Sequence, residues 1–176
     1  MFALLVLAFS FFDYKEIVKL YSVPKLDHWI VLFILFSFIN AFLVHYFVDY
    51  VNQLIATDTL FTINYYEEYT YIENPFLWSF IFMAVLPPIF EELAFRGALF
   101  NALSKSTSIK VTIVTTSFLF ALVHLSVLSI IWIFPFGILL GYLRWKYNSL
   151  WIPMIIHFIH NFTILLIDYY AYIPVE

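Results

Sequence analysis

Two adjacent carboxylates and an arginine lie within one apolar stretch of the chain, residues 86–97. Charged side chains are costly inside a hydrocarbon layer, so they indicate either function or a buried ion pair. Residues four positions apart share a helix face, which allows Glu92 and Arg96 to pair. Glu91 is turned roughly 140° from Arg96 about the helix axis. The spacing therefore predicts a local counter-ion for Glu92 and leaves Glu91 for a partner on another helix.

Two prolines directly precede this charged group. Pro87 and Pro88 have no backbone N–H, so they cannot donate to the carbonyls of Met83 and Ala84. A helix that loses these hydrogen bonds is expected to kink. We therefore predict a kink before the carboxylates, with a polar pocket beside them.

Of the polar residues in the later apolar segments, His124, His157 and Asn161 are the candidates for a site. His160 is offset to the other side of His157 and is the weaker candidate. His157 and Asn161 are four positions apart and share a helix face. Glu91 and His124 lie equally far before and after the basic turn 105–110, roughly 21 Å along each helix. His157 and Asn161 are expected at a similar depth, roughly 14 and 20 Å into the last helix. The sequence thus predicts that four polar residues meet within the membrane.

The chemistry of these four side chains is compatible with hydrolysis. Glu91 can act as a general base on water, and His124 can orient that water or share its proton. His157 and Asn161 can donate hydrogen bonds to a developing oxyanion. No serine, threonine or cysteine clearly belongs to the group, which favours attack by water over an acyl-enzyme.

The residue types alone are also compatible with other roles. Two histidines and two glutamates can also hold a metal ion, so metal-dependent and metal-free reactions are both compatible with the sequence. An intramembrane histidine can serve only as a hydrogen-bonding group between helices. Glu92 and Arg96 are interpreted as a structural ion pair that supports the site.

The composition indicates a membrane protein. The 176 residues are 64% hydrophobic and 11% charged, more apolar than a soluble domain of this size can bury. The length suits an all-α polytopic protein with five to six transmembrane helices and a four-helix catalytic core. A net charge of −4 excludes an extended nucleic-acid surface, and the absence of cysteine excludes disulfides and thiolate nucleophiles.

The apolar segments predict the order of the helices. After a short first segment, the expected helices are 29–48, 75–103, 111–127, 130–142 and 150–172. The third and fourth of these should be short or tilted, and residues 144–148 should form a basic turn. We expect one structural domain, in which residues 1–74 form N-terminal membrane helices with an external loop and residues 75–176 form the catalytic core.

The basic residues predict the orientation. Seven of the eight Lys and Arg residues fall in the segments 13–28, 104–110 and 144–148. The intervening segments 49–74 and 126–130 contain none. Basic loops usually face the cytoplasm, so we place these three segments there. The chain is therefore expected to be a multi-pass protein of the cell membrane.

Three short motifs resemble those of a known family. They occur in this order on three of the predicted helices: Glu91-Glu92-x-x-x-Arg96, Phe120-x-x-x-His124 and His157-x-x-x-Asn161. In this respect, and in residues 149–153 before the last motif, the chain resembles the CPBP family. That family comprises the type II CAAX prenyl proteases and the bacteriocin-processing or Abi-type membrane proteins.

The resemblance implies an intramembrane endopeptidase of the glutamate type. It implies Glu91 as general base with His124 assisting, and His157 with Asn161 as the oxyanion site. It also implies that no metal or other cofactor is required. The expected partners are the lipid bilayer and a hydrophobic, lipidated or leader-bearing peptide, with no nucleic acid.

Two other functions are compatible with the same residues. The chain could be a non-catalytic membrane scaffold or a bacteriocin-immunity protein that binds a peptide or protein without cutting it. It could also be a proton or metal transporter, although it lacks the inverted repeat typical of many transporters. Substitution of Glu91 separates a protease from a scaffold, because only a protease needs the base.

The orientation can be tested by cysteine labelling, since the native chain contains no cysteine. We expect Ser106→Cys, in a basic segment, to react only with membrane-permeant reagents in intact cells. Asp58→Cys lies in the segment 49–74, which contains no Lys or Arg. This variant should also react with impermeant reagents and serves as the control. Labelling of Ser106→Cys by an impermeant reagent would overturn the predicted orientation.

Overall fold

The computed structural model describes residues 14–25, 27–55, 64–125 and 130–172, apart from the side chains of Asn52 and Ile55. The described chain is helical. Its helices are α1 (Tyr14–Lys19), α2 (His28–Ile55), α3 (Pro75–Ser104), α4 (Ile109–Leu122), α5 (Ile130–Tyr147) and α6 (Trp151–Tyr172). A 3-10 turn, Glu67–Tyr69, lies between α2 and α3. The predicted all-α polytopic membrane fold is confirmed.

Three of these helices are long and apolar enough to cross a membrane. The candidate spans are His28–Val51, Pro75–Ser104 and Trp151–Tyr172. By contrast, α4 has 14 residues, which corresponds to about 21 Å against a hydrocarbon core of about 30 Å. The prediction that this helix is short is therefore confirmed.

The helix α3 continues through its two prolines with altered hydrogen bonding. Residues Phe80–Val85 form a π-helical stretch, and the N–H of Leu86 donates to the carbonyl of Ile81. A second π-helical stretch, Leu93–Leu99, follows the carboxylates. The i→i+5 turns of a π-helix are wider than those of an α-helix and often occur at functional sites. The turns of α3 are therefore wider on both sides of the prolines and carboxylates, and the predicted kink stays a prediction.

The helix α4 ends earlier than the sequence suggested. Ser108 caps its start by accepting a hydrogen bond from the N–H of Val111. The last helical residue is Leu122, and Leu125 adopts a left-handed conformation with φ of 54°. The prediction that His124 lies inside a helix spanning 111–127 is wrong. The left-handed backbone at Leu125 does not continue a right-handed helix, so α4 stops although the apolar residues continue. Residues 126 and 127 lie outside the described part of the chain.

The helix α5 is longer than predicted. It continues to Tyr147 and includes Arg144, so the expected basic turn over 144–148 is wrong for most of its length. Asn148 follows the helix with φ of 45°. Asparagine tolerates the left-handed conformation that commonly ends a helix. The helix therefore ends just before this asparagine and includes both basic residues, Arg144 and Lys146.

The chain forms two compact units. The first unit comprises the described residues of Met1–Asp27 and Pro87–Ile156, and the second those of His28–Leu86 and His157–Glu176. The predicted functional division at residue 74 stays a prediction.

Each unit has its own apolar core. In the first unit, Ile17 and Leu20 of α1 pack with Leu93, Leu150 and Met154. The backbone N–H of Leu150 also donates to the carbonyl of Leu20, at 2.8 Å. These contacts attach the short N-terminal helix to the first unit.

In the second unit, a buried apolar cluster contains Tyr66, Ala84 and Leu165. The ring of Tyr66 packs edge-on against Tyr169, with 5.0 Å between the centroids. Tyr66, from the segment 49–74, is therefore a core residue, whereas Tyr71 in the same segment is exposed.

Candidate active site

The side chains of Glu92 and Arg96 are both fully buried, with 0% exposure. Nη1 of Arg96 donates a hydrogen bond of 3.1 Å to Oε1 of Glu92. The predicted ion pair is therefore confirmed. Each charge is the counter-ion of the other in a place that water does not reach.

Arg96 also makes contact with two other helices of the first unit. Its Nη2 donates to the backbone carbonyl of Gly137 on α5, at 2.9 Å. Its guanidinium carbon lies 4.3 Å from the ring centroid of Phe120 on α4, a cation–π geometry. One buried arginine thus joins α3, α4 and α5.

The close approach of Arg96 to the α5 backbone depends on a glycine. A Cβ atom at position 137 would lie 3.3 Å from Nη2 of Arg96 and 3.1 Å from Cβ of Ser117. Glycine is the residue that leaves this space open without moving a neighbour. The contact between Gly137 and Arg96 could not be predicted from the spacing of these residues in the sequence.

The neighbouring carboxylate, Glu91, has a different environment. Its side chain is half-buried, although its Oε2 atom is shielded from solvent. It interacts electrostatically with Arg96, but less strongly than Glu92 does. The two adjacent carboxylates are therefore distinct, and only Glu92 is fully enclosed. The expected partner of Glu91 on another helix stays a prediction.

His124 lies in the turn after α4 and is exposed. Its Nδ1 is 2.8 Å from the carbonyl oxygen of Phe120, and its ring packs edge-on against the Phe120 ring at 5.0 Å. A carbonyl can only accept a hydrogen bond, so Nδ1 carries the hydrogen. In the neutral ring, Nε2 is then the nitrogen that has a lone pair available to accept a proton.

In the second unit, Asn161 forms a hydrogen bond with a backbone carbonyl that lacks its usual donor because of the prolines. Its Nδ2 donates to the carbonyl of Met83 at 3.1 Å. Pro87 has no N–H with which to serve that carbonyl. One amide hydrogen of Asn161 therefore satisfies this carbonyl. The polar pocket predicted beside the carboxylates stays a prediction.

The two histidines of α6 have different neighbours within the second unit. His157 is almost fully buried, at 4% exposure, and interacts electrostatically with His160. Nδ1 of His160 is 3.4 Å from Nδ2 of Asn40 on α2, and the backbone of Ser37 also contacts it. His160 therefore belongs to the packing between α6 and α2, as its offset from His157 suggested.

The predicted site residues thus fall into two sets. Glu92, Arg96 and His124 are linked through Phe120 in the first unit, and Asn161 is bound to Met83 in the second. The joint action of Glu91, His124, His157 and Asn161 stays a prediction. Among the described residues, no three His, Cys, Asp or Glu side chains are grouped so that they could hold a metal ion.

Comparison with known proteins identifies a family. Residues 73–163, half of the chain, match the model of the Rce1-like family, described as type II CAAX prenyl endopeptidase Rce1-like. No curated protein and no solved structure gives a significant match.

The contact between Arg96 and the α5 backbone can be tested with a pair of glycine substitutions. Gly137→Ala places a methyl group within 3.3 Å of the Arg96 guanidinium, so we expect less folded protein and a lower unfolding temperature. Gly97→Ala is the control, since its Cβ would meet no atom closer than 3.4 Å, an ordinary van der Waals distance. Equal thermal stability of the two variants in detergent would contradict the role given to Gly137.

Loss of either partner of the buried ion pair should destabilise the fold. Glu92→Gln and Arg96→Ala each leave a charge without its main counter-ion, at a cost of about 3–5 kcal/mol. We therefore expect both variants to accumulate less folded protein, as measured by fluorescence-detected gel filtration. Glu91→Gln is the control and should accumulate normally. The assignment fails if Glu92→Gln is as abundant and as stable as Glu91→Gln.

Proposed function

We propose that this chain, which belongs to the type II CAAX prenyl endopeptidase Rce1-like family, is a membrane-embedded peptidase that uses carboxylate-activated water. The observation that carries the proposal is the extent of the family match. Residues 73–163 include every residue that the sequence suggested for the site, which are Glu91, Glu92, Arg96, His124, His157 and Asn161. The family is one of proteases, which supports a peptidase function.

The general base in this proposal is Glu91. Glu92 is fully buried and is hydrogen-bonded to Arg96, so its carboxylate is committed to charge balance. Glu91 is half-buried and carries the weaker interaction with Arg96. A base must be reachable by water and must be able to take up a proton, which favours the less enclosed carboxylate.

His124 assists in this proposal by positioning the attacking water. Its Nδ1 is engaged with the carbonyl of Phe120, which fixes the ring and leaves Nε2 as the acceptor in the neutral form. Its exposure at the end of α4 is compatible with contact to water. A histidine held in this manner can accept a hydrogen bond from water while Glu91 removes the proton.

His157 and Asn161 provide hydrogen-bond donors to the reacting carbonyl in this proposal. One hydrogen of the Asn161 amide is bound to Met83, which fixes the orientation of the amide group. The amide carries a second hydrogen that can be donated to an oxyanion. Fixed donors stabilise developing negative charge without reorganising during the reaction.

The proposed reaction is ordinary peptide hydrolysis. The water oxygen bonds to the carbonyl carbon while Glu91 takes a proton, and the carbonyl oxygen becomes an oxyanion. The C–N bond then breaks, the proton passes from Glu91 to the leaving amine, and a carboxylic acid and an amine result. The residues named here supply all the proton transfers. The proposed substrate is a hydrophobic, lipidated or leader-bearing peptide that reaches the site from the bilayer.

Substitution of the proposed base tests the function directly. Glu91→Gln keeps the shape of the side chain and removes the base, so we expect normal abundance and a loss of cleavage of at least ~10²-fold. His124→Ala should show the same pattern. Abundance and cleavage of a reporter peptide, identified by mass spectrometry, should be measured in one membrane preparation. Glu68→Gln, an exposed carboxylate outside the proposed site, is the control.

Two outcomes would contradict the proposal. Normal cleavage by Glu91→Gln, together with a folded but inactive Glu92→Gln, would mean that the roles of the two carboxylates are reversed. A cellular phenotype that survives Glu91→Gln would instead favour a non-catalytic scaffold or immunity protein.

A further inference from the structure

A cavity in the first unit is surrounded by the three basic segments of the sequence. Its volume is about 340 Å³, within the range in which proteins hold small ligands. Its walls come from α1, the end of α3, the start of α4 and the end of α5. The segments 13–28, 104–110 and 144–148 are distant in sequence, so the fold alone brings them to one place. This agrees with the expectation that they lie on one side of the membrane.

The cavity has a positive charge. Its basic residues are Lys19, Lys105 and Arg144, and Glu16 is the single carboxylate among the described residues that line it. Three cations and one carboxylate leave a formal charge of +2. The carboxylate of Glu16 is paired with Lys19, at 2.6 Å, so it is not the counter-ion of Arg144. The walls of this cavity therefore contain more positive than negative charge.

Arg144 is the buried member of this group, at 5% exposure. Its Nε donates to the carbonyl of Arg96 at 2.9 Å, and Nη1 and Nη2 donate to the side-chain oxygens of Asn148 and Asn101 at 3.0 Å. All three acceptors are neutral. No carboxylate of the described chain pairs with Arg144, so these contacts fix its guanidinium without balancing its charge.

We propose that this cavity binds a phosphate group, supplied by the headgroup of an anionic lipid or by free phosphate. Three of the five N–H groups of Arg144 hold its guanidinium in place, and a guanidinium matches the oxygens of a phosphate in geometry. A buried charge needs a counter-ion, and a phosphate would provide it.

The position of the cavity favours a lipid as the source of the phosphate. The basic segments are those expected to face the cytoplasm, where the adjoining leaflet is rich in anionic lipids. Trp145 lines the cavity and is half exposed, at 50%, as is typical of aromatic residues at the headgroup level. This inference does not depend on peptidase activity.

The proposal is tested with the purified full chain in a neutral detergent. The probes are dihexanoyl phosphatidic acid, dihexanoyl phosphatidylcholine and inorganic phosphate, and binding is measured by calorimetry. Substitution of Arg144 removes contacts to α3, so the informative variant is the double substitution Lys19→Gln and Lys105→Gln at exposed positions. Lys110→Gln is the matched control, because it removes an exposed lysine from the same basic segment but does not line the cavity.

We expect phosphatidic acid to bind the native chain and the Lys110→Gln variant equally, and the double variant at least about tenfold more weakly. Phosphatidylcholine should bind more weakly than phosphatidic acid. Binding of inorganic phosphate with the same dependence on Lys19 and Lys105 would support the site and identify free phosphate as its ligand. The proposal is overturned if no phosphate-containing probe binds, or if binding is the same in all three proteins.

Discussion

The burial of the Arg96 charge is the constraint on which the first unit depends. In surroundings of low dielectric constant, an uncompensated charge costs several kcal/mol. The Glu92 carboxylate, the Gly137 carbonyl and the Phe120 ring together compensate it, and they come from three different helices. These helices cannot separate without exposing the charge to an apolar environment. The ion pair thus acts as a packing element as well as a local contact.

The parts of the site that could be predicted are those set by local geometry. The pairing of Glu92 with Arg96 follows from the helical repeat, whatever the helix packs against. The loss of a donor to the Met83 carbonyl likewise follows from the covalent structure of Pro87. That Asn161 supplies the missing donor could not be predicted, because the register between α3 and α6 is not encoded in either helix alone.

The predictions that failed concern the points where helices end. The apolar run continues past Leu122, so hydropathy alone extended the helix to residue 127, but the left-handed backbone at Leu125 ends it. The expected basic turn over residues 144–148 is likewise replaced by helix as far as Tyr147, and Arg144 is buried. Three neutral oxygens, from Arg96, Asn101 and Asn148, accept its hydrogen bonds. Neither effect leaves a periodic pattern in the sequence.

Adjacent polar residues on these helices divide two tasks between them. Successive residues of a helix differ by about 100°, so neighbours in sequence meet different surroundings. Glu92 is enclosed with Arg96 while Glu91 is half-buried, and His160 contacts α2 while Asn161 binds α3. In each of these two pairs, one residue, Glu92 or His160, takes part in helix packing. The other, Glu91 or Asn161, has a proposed role in the reaction.

Phe120 connects these tasks in the first unit. Its ring lies against the Arg96 guanidinium, and its carbonyl oxygen accepts the hydrogen bond from Nδ1 of His124. A shift of the ion pair would displace the ring, and a displaced Phe120 would alter the orientation of the histidine. Phe120 therefore lies between the buried ion pair and His124 and contacts both. This gives a physical reason for a buried, non-reacting ion pair to accompany the proposed base.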